Sequence, residues 1–300
     1  MSGVKGNRKP ERIDEHLVTE DFVGEFKYSR AMKRIIELVY KMKVMKVSHI
    51  AETTGYHIRT VRDAVKVLHI NRFLYRQFPP SLRSEFGSHE GYVMLDRAGK
   101  LYIAGLYDIP LREVKYNPRE HVINTNYLEH SYMINETRIE FEKYAREIKT
   151  IKIDGVCDKH LYYRFFKGQR EFKLRPDMLM RMSTGDKERH FFFEIDRSTE
   201  AVMALSSKTV GFNRKIENYE EFMISRAYED YGLQVFPEVI VIAETRERVM
   251  KLLKTIVNLQ HVKVYFTTLE MLQNDIIGDI FVTLNAEKQP VSLSLFSERS

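Results

Sequence analysis

The sequence predicts an α+β chain whose second half is α/β: helices and a hairpin first, then a mixed sheet with helices on its faces. Three observations predict it. Apolar residues recur at helical spacing early on, as in Met32, Ile35, Ile36, Val39 and Tyr40. Beyond about residue 150 short strand-like runs take over, among them Phe191-Phe192-Phe193 and Val239-Ile240-Val241-Ile242. Helical patterns alternate with the last of these runs, as helix crossovers require.

Composition bounds the rest. The chain has 300 residues, 43% of them hydrophobic and 30% charged, as in soluble globular proteins. No apolar run approaches the roughly 20 residues of a membrane helix, so no membrane partner is expected. The polar N-terminus lacks a signal-peptide core. The single cysteine, Cys157, excludes an internal disulfide and a zinc ribbon, and a reducing cytoplasm is the expected location. Between Lys27 and Arg83 stand thirteen Lys/Arg and three acids (Glu37, Glu52, Asp63), a net of +10. The whole chain carries +6, so the remainder sums to −4. A basic block on a slightly acidic remainder points to a polyanion-binding module.

In order along the chain, residues 1–26 lack periodicity and read as a flexible arm. A helix is expected from Ser29 to Lys43, then a short one from Ser48 to Thr54 with Ser48 as its cap. Gly55 makes the turn, and a third helix spans His57 to His69. Its buried stripe is Ile58, Val61, Val65 and Leu68; His57, Arg59, Thr60, Arg62 and Lys66 point away. Two helices joined by a short Gly turn are a helix-turn-helix, and the second would enter the major groove of double-stranded DNA. Phe73–Arg76 and Gly91–Leu95 then form a β-hairpin whose basic residues include Arg76 and, in its tip, Arg83. Helix-turn-helix plus hairpin makes a winged helix, and a helix from Leu95 to Leu106 closes it. The expected domain spans 27–116.

A second domain is expected over 117–284. It opens with a helix from Arg119 to Ile148. Strands follow at Thr150–Val156, Phe172–Met182 and His190–Asp196, then a helical stretch from Ser198 to Arg226. Pro237–Ala243 is a strand apolar enough to be buried on both faces, Arg246–Leu259 is helical, and Val262–Thr267 is the last strand. Residues 285–300 read as a polar, frayed tail.

Candidate chemistry lies on two of those strands. Asp177 would sit beside Glu194 on the adjacent strand, and Asp196, two residues on, shares the face of Glu194. Hard oxygen ligands so grouped suit Mg²⁺ or Mn²⁺, which would polarise a phosphodiester and activate a water. The alternative is that these carboxylates pair with Arg175, Arg197 or Lys208. Glu129 and Glu136, on the preceding helix, are further candidate ligands, though each is more simply a solvated charge. His121, His130, His160 and His190 share no ligand spacing. The aromatic run Tyr162-Tyr163-Arg164-Phe165-Phe166 fits either base stacking or a strand packed on the core.

The element order, with Pro176-Asp177 and Glu194-x-Asp196, resembles the PD-(D/E)XK nuclease fold. More specifically, Arg175-Pro176-Asp177, Phe193-Glu194-Ile195-Asp196-Arg197-Ser198-Thr199-Glu200, Lys208 and Tyr219 resemble the plasmid replication-relaxation family, over about Ser29 to Leu272. That family joins an N-terminal winged helix to a nuclease-like domain, which implies a role in replication or relaxation of plasmid or phage DNA. The nuclease pattern wants Lys two residues after the Glu, where this chain has Asp196; Lys208 on the following helix is the candidate substitute.

Three functions follow as expectations. The first is a DNA-binding protein of plasmid or phage replication, with the second domain giving another DNA or partner surface; replication proteins and a second copy of the chain are possible partners. The second is an active endonuclease or nickase, with Asp177, Glu194 and Asp196 holding the metal and Lys208 stabilising charge. The third is a transcription regulator with an assembly domain.

Overall fold

The computed structural model describes residues 11–77, 91–114, 125–149, 151–157, 161–184, 187–198, 201–202 and 211–296. The chain forms two units, Met1–Asn135 and Glu136–Ser300, and the division falls inside a long helix.

In the first unit, α1 (Glu20–Glu25) starts at Thr19, whose hydroxyl accepts the Phe22 N–H at 3.1 Å. Ser29 caps α2 (Arg30–Met42) in the same way, accepting from Met32 at 3.2 Å. The apolar stripe expected of α2 is buried through Ile35, Ile36, Val39 and Tyr40. After β1 (Val44–Lys46) come α3 (Val47–Thr54) and α4 (Ile58–Ile70). Gly55 ends α3 in the left-handed conformation, φ 70°, which only glycine adopts without cost. β2 (Leu74–Gln77) and β3 (Tyr92–Leu95) pair antiparallel, and β1 adds to the other side of β3, giving the order β1-β3-β2. α5 (Arg97–Tyr107) begins at Asp96, which receives the Arg97 N–H at 2.8 Å. α6 (Thr125–Ile148) places Leu128 in a core cluster with Val44, Tyr92 and Met94. Asn135 also donates to the Val44 carbonyl at 2.7 Å. These contacts are why the start of α6 belongs to the first unit.

Three expectations for this unit change. Residues 11–26 are not a loose arm over their described length. Ile13 donates its N–H to the Ile70 carbonyl at 3.0 Å, Arg12 pairs with Asp96, and Phe26 lies 4.7 Å from the Phe73 ring. Phe22 and Phe26 stand among acids and leave no periodic signal, yet both are half-buried against the Phe73 ring. α3 starts one residue before Ser48, with Lys46 at its cap; the His49 ring nitrogen accepts the Lys46 N–H at 3.3 Å. β1 was not expected, because three residues between two helices carry too little pattern to read.

The second unit is built on a seven-stranded mixed sheet. Its strands are β4 (Ile151–Cys157), β7 (Met178–Thr184), β8 (Lys187–Asp196), β9 (Glu238–Ala243), β10 (Val264–Thr268), β11 (Phe281–Leu284) and β12 (Pro290–Leu293). Their order is β12-β11-β10-β9-β8-β7-β4. β8, β9 and β10 run parallel, linked by helical crossovers; the other neighbours are antiparallel. β5 (Tyr163–Lys167) and β6 (Arg170–Leu174) form a separate hairpin. β8 is covered on both faces. Phe192 packs with Ile216, Tyr219 and Phe222 of α7 (Phe212–Ile224), while Phe193 meets Phe141 of α6 at 5.2 Å.

Here too expectations are corrected. The strand expected over Phe172–Met182 is two, β6 and β7. Pro176 has no N–H to give a ladder, so the chain leaves one sheet there and joins another. Of the helical stretch expected over Ser198–Arg226, α7 covers Phe212–Ile224; residues 201–202 are not helical, and 199–200 and 203–210 lie outside the described residues. α8 (Arg246–Leu252) passes into a 3-10 turn, Leu253–Ile256. β10 is not the last strand, and the tail is not frayed over 290–293: β12 pairs with β11 along the sheet edge. Pro290 opens that edge strand, where a missing N–H is tolerated.

Candidate nucleic-acid interface and carboxylate site

In α4 the helical period divides the residues cleanly. Val61, Ala64, Val65 and Leu68 are buried. His57, Arg59, Thr60, Arg62 and Lys66 are all exposed, with Asp63 the one acid among them. His57 is the N-cap, its Nδ1 accepting the Arg59 N–H at 3.3 Å, which leaves the first turn of α4 facing outward. Arg76 lies half-buried on β2. Arg83 lies outside the described residues. The structure therefore places five of the seven expected DNA contacts on one exposed helix face.

In the second unit the carboxylates collect at the carboxyl end of β8. The register that sets Met178 opposite Phe193 brings Asp177 opposite Glu194, and the Asp177 N–H donates to the Phe193 carbonyl at 3.0 Å. The Asp177 side chain accepts the Ile195 N–H at 2.8 Å, extending the ladder one step beyond Pro176. Glu194 is fully buried. Its Oε1 accepts the Tyr219 hydroxyl at 2.5 Å, and Lys215 Nζ lies 2.6 Å from Oε2. Burial pushes the Glu194 carboxyl up to about 8; Lys215 pulls it down, and the nearby Asp177 charge raises it further. Burial, then the Glu194 charge, also pushes the Tyr219 hydroxyl well up. Asp196 is held two-pronged by Arg248 of α8, at 2.7 and 2.9 Å, and accepts the Ser198 N–H at 2.9 Å.

Each expected metal ligand is thus engaged by donors of the chain itself. Among the described residues, no group of three or more His, Cys, Asp and Glu could hold a metal ion. A divalent cation needs several free oxygens facing one point, and this donor set does not fit one. Glu136 accepts from Gln273 of α9 (Leu269–Asp275) at 3.1 Å, and Glu129 is exposed. Lys208 lies outside the described residues.

Lys215 and Arg248 were not singled out in the sequence. Lys215 stands one helical turn before Tyr219, so the two share a face of α7. Arg248 lies in the first turn of the helix after the most apolar strand, at the same sheet edge as Asp196. Those placements were the available signals.

Fold and site together define a two-unit α+β protein: a basic helical unit with a three-stranded sheet, and a mixed-sheet unit with compensated carboxylates at the carboxyl ends of its parallel strands. A family model described as replication-relaxation matches residues 36–239. The chain belongs to the replication-relaxation family, which associates it with replication. Neither the comparison with curated proteins nor that with solved structures gives a match. No described helix is long and apolar enough to cross a membrane.

Proposed function

We propose that this protein binds double-stranded DNA in the replication or relaxation of a plasmid or phage, with its first unit acting as a winged helix. α4 lies in the major groove, and the β2–β3 hairpin follows the backbone beside it. The observation that carries this reading is the exposure of His57 at the N-cap and of Arg59, Thr60, Arg62 and Lys66 along α4, over a buried stripe of Val61, Ala64, Val65 and Leu68 beside a half-buried Ile58. Arg and Lys there meet phosphates and base edges, and the net +10 of Lys27–Arg83 draws the duplex in. Replication proteins are the further partners that family membership supports. A homodimer would present two α4 helices to half-sites one helical turn apart.

The second unit, in this reading, keeps a nuclease-like frame without metal-dependent cutting. Its support is the compensation of Glu194 by Lys215 and Tyr219, and of Asp196 by Arg248. Two experiments test the whole. A labelled duplex carrying the target site binds the full chain, and Arg59→Ala with Arg62→Ala weakens it at least about tenfold, since two cationic contacts to phosphates are lost. Unchanged affinity at matched salt would reject α4 as the reader. Supercoiled plasmid incubated with the protein and Mn²⁺ stays supercoiled after deproteinisation. Nicking that disappears in Asp177→Ala would establish an endonuclease instead.

A further inference from the structure

The β5–β6 hairpin carries two opposite faces. Inward, Tyr163, Phe165, Phe172 and Leu174 are buried on the core, with Phe165 5.1 Å from both Phe172 and Phe222. Outward, Tyr162 and Phe166 are 54% and 57% exposed, although rings of that size ordinarily bury. On the same face stand Arg164 and, opposite it across the ladder, Lys173, both exposed; Lys167 and Arg170 face each other at the hairpin end in the phase of the inward residues, with Arg170 over the Phe172 ring. The only acid in 161–174 is Glu171, which pairs with both Arg164 and Lys173, so the segment carries +3.

The platform is firmly mounted. The Tyr231 hydroxyl accepts the Arg164 N–H at 2.8 Å and donates to the Arg164 carbonyl at 2.7 Å. Lys167 pairs with Glu221 of α7 at 2.5 Å. Tyr162 and Phe166 are four residues apart along an extended strand, about 13 Å, so each ring can take its own base. Between them the Arg164 guanidinium lies 5.4 Å from the Phe166 ring.

We propose that this outer face binds single-stranded DNA, stacking bases on Tyr162 and Phe166 while Arg164 and Lys173 hold the backbone. The inference goes beyond the function proposed above and gives the further DNA surface expected of the second domain a place and a ligand. Exposed rings interleaved with cations are the arrangement that single strands use: the rings take unstacked bases, and the cations follow the phosphates. A duplex offers the rings nothing, since its bases already stack on each other. Exposed rings beside an Arg also suit a protein partner, and that occupant is an outcome of the test below.

The test uses the full chain, a fluorescein-labelled oligo-dT and a labelled duplex, read by anisotropy at one salt concentration. Tyr162→Ala with Phe166→Ala weakens oligo-dT binding at least about tenfold and leaves duplex affinity unchanged, because each stacked base is worth roughly 1–3 kcal/mol. Tyr162→Trp with Phe166→Trp retains oligo-dT binding. Arg59→Ala with Arg62→Ala does the reverse, losing duplex and keeping oligo-dT, so failure of one surface is told from failure of the other. Both rings are exposed, and an unchanged melting temperature verifies that the variant folds. No oligo-dT binding by the unmodified chain, or binding that the double Ala variant keeps, overturns the proposal. So does a fall in molecular mass of the Ala variant by light scattering, which would assign the rings to a protein contact.

Discussion

Glu194 is a carboxylate in the middle of a sheet, one residue past three consecutive buried phenylalanines. Its raised carboxyl fixes the sign of a pH effect. Between about 4.5 and about 8 the folded chain keeps a proton on Glu194 that the unfolded chain has released. The folded state thus binds more protons across that window, and stability falls as pH rises through it. Glu194→Gln retains an acceptor for Tyr219 and has no proton to lose. Thermal melting at pH 5 and pH 8 should therefore show a larger drop for the parent chain than for the variant; parallel drops would remove Glu194 as the cause. Asp196 makes a different case. With Arg248→Ala it stays buried without its two-pronged partner, and urea denaturation should show a loss of about 3 kcal/mol or more. Adding Asp196→Asn should recover much of that loss, since the buried charge goes with it. A double variant as unstable as the single one would mean that the helix position, not the ion pair, matters.

At the scale of elements, α5 shows how tightly the first unit closes. A Cβ on Gly99 would stand 2.3 Å from the Phe73 carbonyl oxygen and 2.6 Å from Leu95 Cδ1. That carbonyl already accepts the Asp96 N–H at 3.0 Å, so the backbone there has little freedom to yield. Gly99→Ala should cost about 1–3 kcal/mol in chemical denaturation. Gly105→Ala, in the same helix with nothing within 4 Å, should instead stabilise by about 0.5–1 kcal/mol. Equal effects would show that α5 is not packed as described. Elements with a full apolar face were legible in the sequence: α2 and α4 have four or more buried residues at helical spacing. β1, β11 and β12 were not: β1 is three residues between two helices, and β11 and β12 have one buried residue between them. The site was half legible. Asp177 and Glu194 lie on consecutive antiparallel strands, so sequence proximity implies contact. Lys215 and Arg248 reach the same edge from helices farther along the chain, and only tertiary packing brings them there.

For the whole molecule the governing fact is where charge sits and whether it is already spent. The acids at the carboxyl end of β8 have cationic or hydroxyl partners from within the chain. On α4, Arg59, Arg62 and Lys66 face outward with only Asp63 to oppose them. That contrast favours a protein that holds DNA over one that cuts it, and it predicts a quantity as well as an outcome. Duplex affinity should fall linearly as salt rises on logarithmic axes, with a slope set by the number of phosphates neutralised. The measurement is therefore a salt titration of duplex binding by the parent chain and by Arg59→Ala with Arg62→Ala. A slope shallower by about 2 in the variant, one unit for each lost phosphate contact, is the expected result. Identical slopes and affinities in the two proteins would contradict duplex binding through α4.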